Sequence, residues 1–155
     1  MTQEHALTIL KTGANVFLTG EPGSGKTHTI NQYVAYLRSH GIEPAITAST
    51  GIAATHIHGQ TIHSWSGIGT RDTLTAHDLE SIVGKEKTVK RIQKAKVLVI
   101  DEISMLDGRV LDMVEAVCRR ARSQSADENA PSNRHDRPTR RDRETSRDRS
   151  RARPP

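Results

Sequence analysis

The chain has 155 residues, a formal net charge of +5, 26% charged and 3% aromatic residues, and one cysteine. That length suits one domain of about 100–200 residues, the lone thiol excludes a disulfide-stapled scaffold, and no run approaches the roughly 20 apolar residues of a membrane span. The opening MTQEHALTILKTGANVF has no basic segment before a long apolar run, so the expectation is a cytoplasmic protein, nucleoid-associated if bacterial, with no membrane partner.

In chain order, a short apolar strand is predicted over Asn15–Thr19, then the glycine-rich GEPGSGKT, then a helix over Thr27–His40 with Ile30, Val34 and Leu37 on one face and Gly41 as its stop. Pro44 precedes a second strand, Ala45–Ala48, which ends at the polar STG turn. Two strands joined through a helix predict a βαβ unit and a parallel sheet, an α/β fold. Residues 47–69 are rich in hydroxyls, histidines and glycines, and His56, His58 and His63 fall on a predicted loop. Thr75 with Asp78 three residues on predicts a capped helix through Val83, and Glu86–Lys94 a further helix. The run KVLVIDE predicts a strand buried on both faces, hence central in its sheet.

After that strand, Val110, Val114, Val117, Cys118 and Ala121 share one helical face that ends near Arg122, which makes Cys118 a buried structural thiol. From Ser123 onward the only hydrophobic residues are Ala126, Ala130 and Ala152, too few to offset the entropy of ordering a backbone. The expected organisation is therefore a folded unit over 1–122 and a disordered, arginine-rich tail over 123–155. The tail carries nine arginines and no lysine, whereas every lysine lies before it. A truncated or frame-shifted gene and a solvated basic arm both account for that switch.

Gly20, Gly25, Lys26 and Thr27 occupy every required place of G-x-x-x-x-G-K-[ST], with Gly23 and Ser24 inside the loop. Glycines let the backbone wrap phosphate oxygens with its N–H groups, Lys26 reaches the β and γ phosphates, and the Thr27 hydroxyl joins a Mg²⁺ shell. Asp101 and Glu102 follow the VLVI strand, Asp101 placed to hold Mg²⁺ and Glu102 to orient or deprotonate an attacking water. Together the two motifs predict binding of ATP and Mg²⁺ by a P-loop NTPase. Thr50, Gly51 and Thr61, at the carboxyl edge of a parallel sheet, suit a phosphodiester backbone. Trp65 fits a base-stacking platform or the core, the core being preferred. His56, His58 and His63 have no fourth ligand and read as surface or core residues rather than a metal site.

The segments NVFLTGEPGSGKTHTI, ASTGIAATHIHGQTIHSW and KVLVIDEISML resemble, in order, the first motifs of the PIF-type DNA helicases, superfamily-one enzymes that move 5′ to 3′ on single-stranded DNA using ATP. The resemblance covers residues 1 to about 122 and implies a RecA-like first motor domain, a three-layer parallel sheet that is incomplete here. It also implies that Gln3 belongs to an adenine-reading element and that Thr50, Gly51, Thr61 and His63 track DNA. The chain departs from the family at His58, where a glycine is more usual. Such helicases continue with a strand, a GDxxQLPP element and a second motor domain whose arginines reach the γ-phosphate, a contribution worth about 10³–10⁵ in rate in related phosphoryl transfer. The expectation is thus the amino-terminal part of an ATP-dependent helicase acting on single-stranded or forked DNA in repair, recombination or replication, unable to unwind alone. The alternative is a non-enzymatic nucleic-acid-binding module with a degraded nucleotide site and a basic tail. A small P-loop kinase is disfavoured because no arginine-bearing lid follows the first helix.

Overall fold

The computed structural model describes the backbone of residues 1–128 and the side chains of residues 1–124. The tail expected over 123–155 lies, from residue 129 onward, outside the described residues.

Helix α1, Gln3–Lys11, begins where the Thr2 hydroxyl accepts the His5 N–H at 3.3 Å. It packs against α2, Lys26–Ser39, and the two bury Leu10, Tyr33 and Leu37, with Ile42 and Val97 closing the cluster. Three strands follow, β1 (Ala45–Ala48), β2 (Gln60–Thr61) and β3 (Leu98–Asp101), in one parallel sheet of order β2-β1-β3. Helix α3 (Gly51–His56) links β1 to β2, and α4 (Ile62–Ser66) leaves β2 directly. Helices α5 (Ala76–Val83) and α6 (Glu86–Lys94) precede β3, and a 3-10 turn over Ile103–Met105 leads to α7, Gly108–Glu128.

The larger core lies between the sheet and α4–α7 and contains Ile62, Trp65, Ile68, Ile82, Ile92 and Val117. Trp65 is 3% exposed, so the core position is the one it takes. Helix α7 presents Val114, Val117 and Ala121 to this core, as the apolar stripe predicts, with Val110 and Cys118 beside them; Cys118, expected buried, is half-buried. Desolvation raises the Cys118 thiol above its ordinary pKa, which suits a packing role. Polar ties fix the same helix: Gln93 Nε2 donates to the Ala121 carbonyl at 2.9 Å and Arg122 to the Ala95 carbonyl at 3.0 Å.

Three expectations are corrected. Asn15–Thr19 forms no strand: it is extended backbone without ladder partners among the described residues, with Val16 and Phe17 38% and 69% exposed. The KVLVIDE strand is an edge strand, because β3 pairs with β1 alone among the described residues and all four of its residues are half-buried; β1 is the central one. Helix α7 continues to Glu128, beyond the end expected near Arg122. The first two share a cause: a strand's pairing and its place in a sheet depend on neighbours, not on its own composition.

Candidate functional site

The phosphate loop is built by backbone conformations that glycine alone takes cheaply. Gly23 has φ 78° and Gly25 φ 87°, both left-handed, and Gly25 turns the chain into α2 with Lys26 as its first residue. A Cβ at Gly25 would overlap the Gln3 amide, whose Nε2 donates to the Ser24 carbonyl at 3.2 Å. Gln3, placed near the nucleotide only by resemblance, thus sits directly on the loop, carried there by α1. The α1 helix itself went unread in the sequence; Thr2 ahead of Gln3 and His5 was the capping signal that could have shown it.

Lys26 folds back on its own loop, Nζ donating to the carbonyls of Gly20 at 2.7 Å and Glu21 at 3.0 Å. Behind it, Thr29 is 2% exposed and donates to the Gly25 carbonyl at 3.2 Å, locking the first turn of α2 against the loop. Thr27 is exposed on that same first turn.

The acidic pair stands at the carboxyl end of β3. Asp101 pairs in register with Ala48 and its carbonyl accepts the Ser49 N–H at 3.2 Å, so β1 and β3 end side by side. Asp101 Oδ1 accepts the Glu102 N–H at 3.0 Å, and Glu102 is exposed in a left-handed conformation, φ 52° and ψ 40°. A non-glycine residue there is strained. The Ser49 hydroxyl is buried beside this strand end with no partner.

A magnesium nucleotide fits this donor set. Mg²⁺ takes one or two protein oxygens and completes its shell with water and phosphate, and Thr27 with Asp101 offers one hydroxyl and one carboxylate. The orphaned Ser49 hydroxyl is a further polar group at the same sheet edge awaiting a partner.

The hydroxyls assigned to DNA prove to be helix caps. Thr50 accepts the Ala53 N–H and Thr61 the Ser64 N–H, each at 3.2 Å, opening α3 and α4 where a loop was expected. As caps they use an oxygen lone pair, leaving each O–H to donate. Thr50 and Gly51 follow the end of β1, and Thr61 and His63 border a cavity of about 910 Å³ that Arg71, Asp107, Arg109 and Met113 also line. Both arginines there are paired: Arg71 with Asp78 at 3.1 Å and Arg109 with Asp107 at 2.9 Å, the latter holding Asp107 below the usual carboxylate range. His56, His58 and His63 do not converge, and among the described residues no group of three or more His, Cys, Asp or Glu side chains is placed to hold a metal.

The structure thus gathers Gln3, Gly20, Ser24, Gly25 and Lys26 at one loop, and Thr50, Gly51, Asp101 and Glu102 at the carboxyl ends of adjacent strands. Residues 3–132 match the family described as PIF1-like helicase. Over 122 residues the chain is 56% identical to an ATP-dependent DNA helicase Pif1 of Psychrobacter sp. (strain PRwf-1), covering 79% of this chain and 18% of that protein. Over 125 residues it is 42% identical to the ATP-dependent DNA helicase RRM3 of Saccharomyces cerevisiae, covering 79% and 17%. A crystal structure of Pif1 helicase from Candida albicans superposes with a TM-score of 0.67 at 34% identity, covering 78% of this chain and 28% of that one. The chain therefore spans less than a fifth of the length of the two sequence relatives.

Proposed function

The chain belongs to the PIF1-like helicase family, and from that premise we propose that residues 1–122 are the nucleotide-binding part of an ATP-dependent DNA helicase motor. The observation that carries the reading is the cradle formed by Gly20–Thr27 with Gln3 laid across it. In this reading the Gln3 amide meets adenine, the loop N–H groups and Lys26 hold the phosphates, and Thr27 with Asp101 holds Mg²⁺. The metal, when bound, neutralises charge developing on the β and γ phosphate oxygens. Glu102 orients the attacking water and takes its proton, and Thr50, Gly51, Thr61 and His63 meet single-stranded or forked DNA.

Lys26 must leave the Gly20 and Glu21 carbonyls to reach a phosphate. The exchange is favourable because the ammonium leaves two neutral carbonyls for phosphate oxygens of opposite charge, which attract it far more strongly at contact distance. We assign unwinding to the longer assembly that the relatives represent, since a second domain's arginine on the γ-phosphate is worth about 10³–10⁵ in rate.

Titration of the chain with a fluorescent ATP analogue, with and without Mg²⁺ and single-stranded DNA, tests the reading. Saturable Mg²⁺-dependent binding that Lys26→Ala weakens at least tenfold is the expected result, with DNA affinity changing when nucleotide is present. DNA binding indifferent to nucleotide, in a folded sample that binds no ATP, would instead support the non-enzymatic basic module.

A further inference from the structure

Parallel strands give the sheet two unlike edges, and the residues discussed so far occupy the carboxyl one. At the amino edge, Pro44, Ala45 and Ile46 open β1, Gly59 and Gln60 open β2, and Ala95 precedes β3, together bordering a cavity of about 520 Å³. Its charged lining is Arg38, Arg91 and Lys94 against the single carboxylate of Glu43, and Trp65 forms part of its wall. Glu43 is already engaged by Arg38 through three hydrogen bonds between 2.7 and 3.1 Å. Arg91 donates through Nη2 to the Ser64 carbonyl at 3.1 Å, yet its Nε is buried without a partner, and among the described residues no carboxylate lies within ion-pair distance of it. Burial lowers the Arg91 pKa, the direction expected of a guanidinium removed from water without a counter-charge.

A half-buried guanidinium without a counter-charge is stabilised by an anion brought beside it, and Arg91 and Lys94 both line the cavity where one would sit. We infer that this amino-edge cavity is a second anion site, taking a phosphate group on Arg91 and Lys94 at the opposite edge of the sheet from the phosphate loop. The ligand is a phosphate group, carried on a nucleic-acid strand or free in solution, and at about 520 Å³ the cavity has room for it together with water. The site is independent of the nucleotide reading, because none of its residues belongs to the loop of Gly20–Thr27 or to the acidic pair.

Trp65 is the chain's one tryptophan and lines the cavity, so its fluorescence reports occupancy. The full chain carrying Lys26→Ala, which disables the phosphate loop, is titrated in separate arms with inorganic phosphate and with a single-stranded thymidine oligomer, without Mg²⁺ or ATP. A saturable Trp65 change in either arm, weakened about fivefold or more by Arg91→Gln as expected of one charge-assisted contact, supports the site, and the responding arm identifies the source. Lys94→Gln, at an exposed position, must weaken the same transition; with the oligomer it should also lower the slope of log affinity against log salt by about 1. No saturable change in either arm, or a change whose affinity both variants leave untouched, overturns the proposal.

Discussion

His58 and Gly59 are chain neighbours with opposite needs. His58 holds φ 50°, a left-handed conformation that costs an L-residue roughly 1–2 kcal/mol, and it is the position where the resembled family more usually carries glycine. Gly59 has no such φ, but a Cβ there would lie 2.5 Å from the Ile46 carbonyl oxygen, backbone that cannot step aside. His58→Gly should therefore stabilise the chain by about 0.5–1 kcal/mol, part of the relieved strain being returned as unfolded-state entropy. Gly59→Ala should destabilise it by about 1–3 kcal/mol, the usual range for overpacking. Urea midpoints of the two variants check both signs; a His58→Gly variant no more stable than the parent would show that the strain is relaxed elsewhere. The resemblance marks position 58 as one where glycine is usual, which fits its left-handed backbone, whereas the need for Gly59 comes from β1, thirteen residues earlier at Ile46, and could not be read locally.

Helix α5 illustrates how far an element can be read from its own residues. Its capping box is complete: the Asp78 N–H donates to the Thr75 hydroxyl at 3.1 Å and the Thr75 N–H to Asp78 Oδ2 at 3.1 Å. The Thr75 hydroxyl, its backbone N–H and Arg71 pull the Asp78 carboxyl from an ordinary 3.8 to about 2. A carboxyl whose folded pKa is depressed stabilises the native state above its unfolded pKa, and that contribution fades as pH falls through the folded value. The stability gap between the parent chain and Asp78→Asn should thus be full above pH about 4 and close progressively toward pH about 2, measured by urea unfolding at stepped pH. A gap that stayed constant across that window would remove the carboxylate from the account. The capped α5 and the charged α6 match their expected bounds because their signals sit within a few residues. Strands share this property only in part: β1 keeps its expected bounds, Ala45–Ala48. The Asn15–Thr19 and KVLVIDE segments carry strand-like composition, yet ladder and sheet position depend on partners far along the chain, and β2, with two residues, has too little pattern to show. Helices α3 and α4 were missed because runs of six and five residues are shorter than two helical turns, although Thr50 and Thr61 mark both starts.

At the scale of the whole molecule the candidate nucleotide site straddles two cores of unequal size. The phosphate loop hangs from α1 and α2, whose own cluster has three buried residues, Leu10, Tyr33 and Leu37. Asp101, Thr50 and Thr61 hang from a sheet backed by the larger cluster around Ile62, Ile92 and Val117. Local stability follows the apolar contacts that an opening must break, so the smaller cluster should open first. Amide hydrogen exchange is expected to be faster across α1 and α2 than across β1, β3 and the part of α7 that carries Val114 and Val117. Leu37→Ala, costing about 2–5 kcal/mol, should accelerate exchange in α1 and α2 selectively, whereas Val117→Ala should accelerate it throughout. Any ligand that binds only the closed form adds RT ln(1 + [L]/Kd) to its stability, so Mg²⁺ with ATP should slow exchange in α1 and α2 most. Uniform protection across both clusters, unchanged in pattern by Leu37→Ala, would mean one cooperative unit and a preformed loop. The asymmetric result would mean that nucleotide binding and the ordering of residues 1–43 against the sheet are the same event, with Val97 the joint between them.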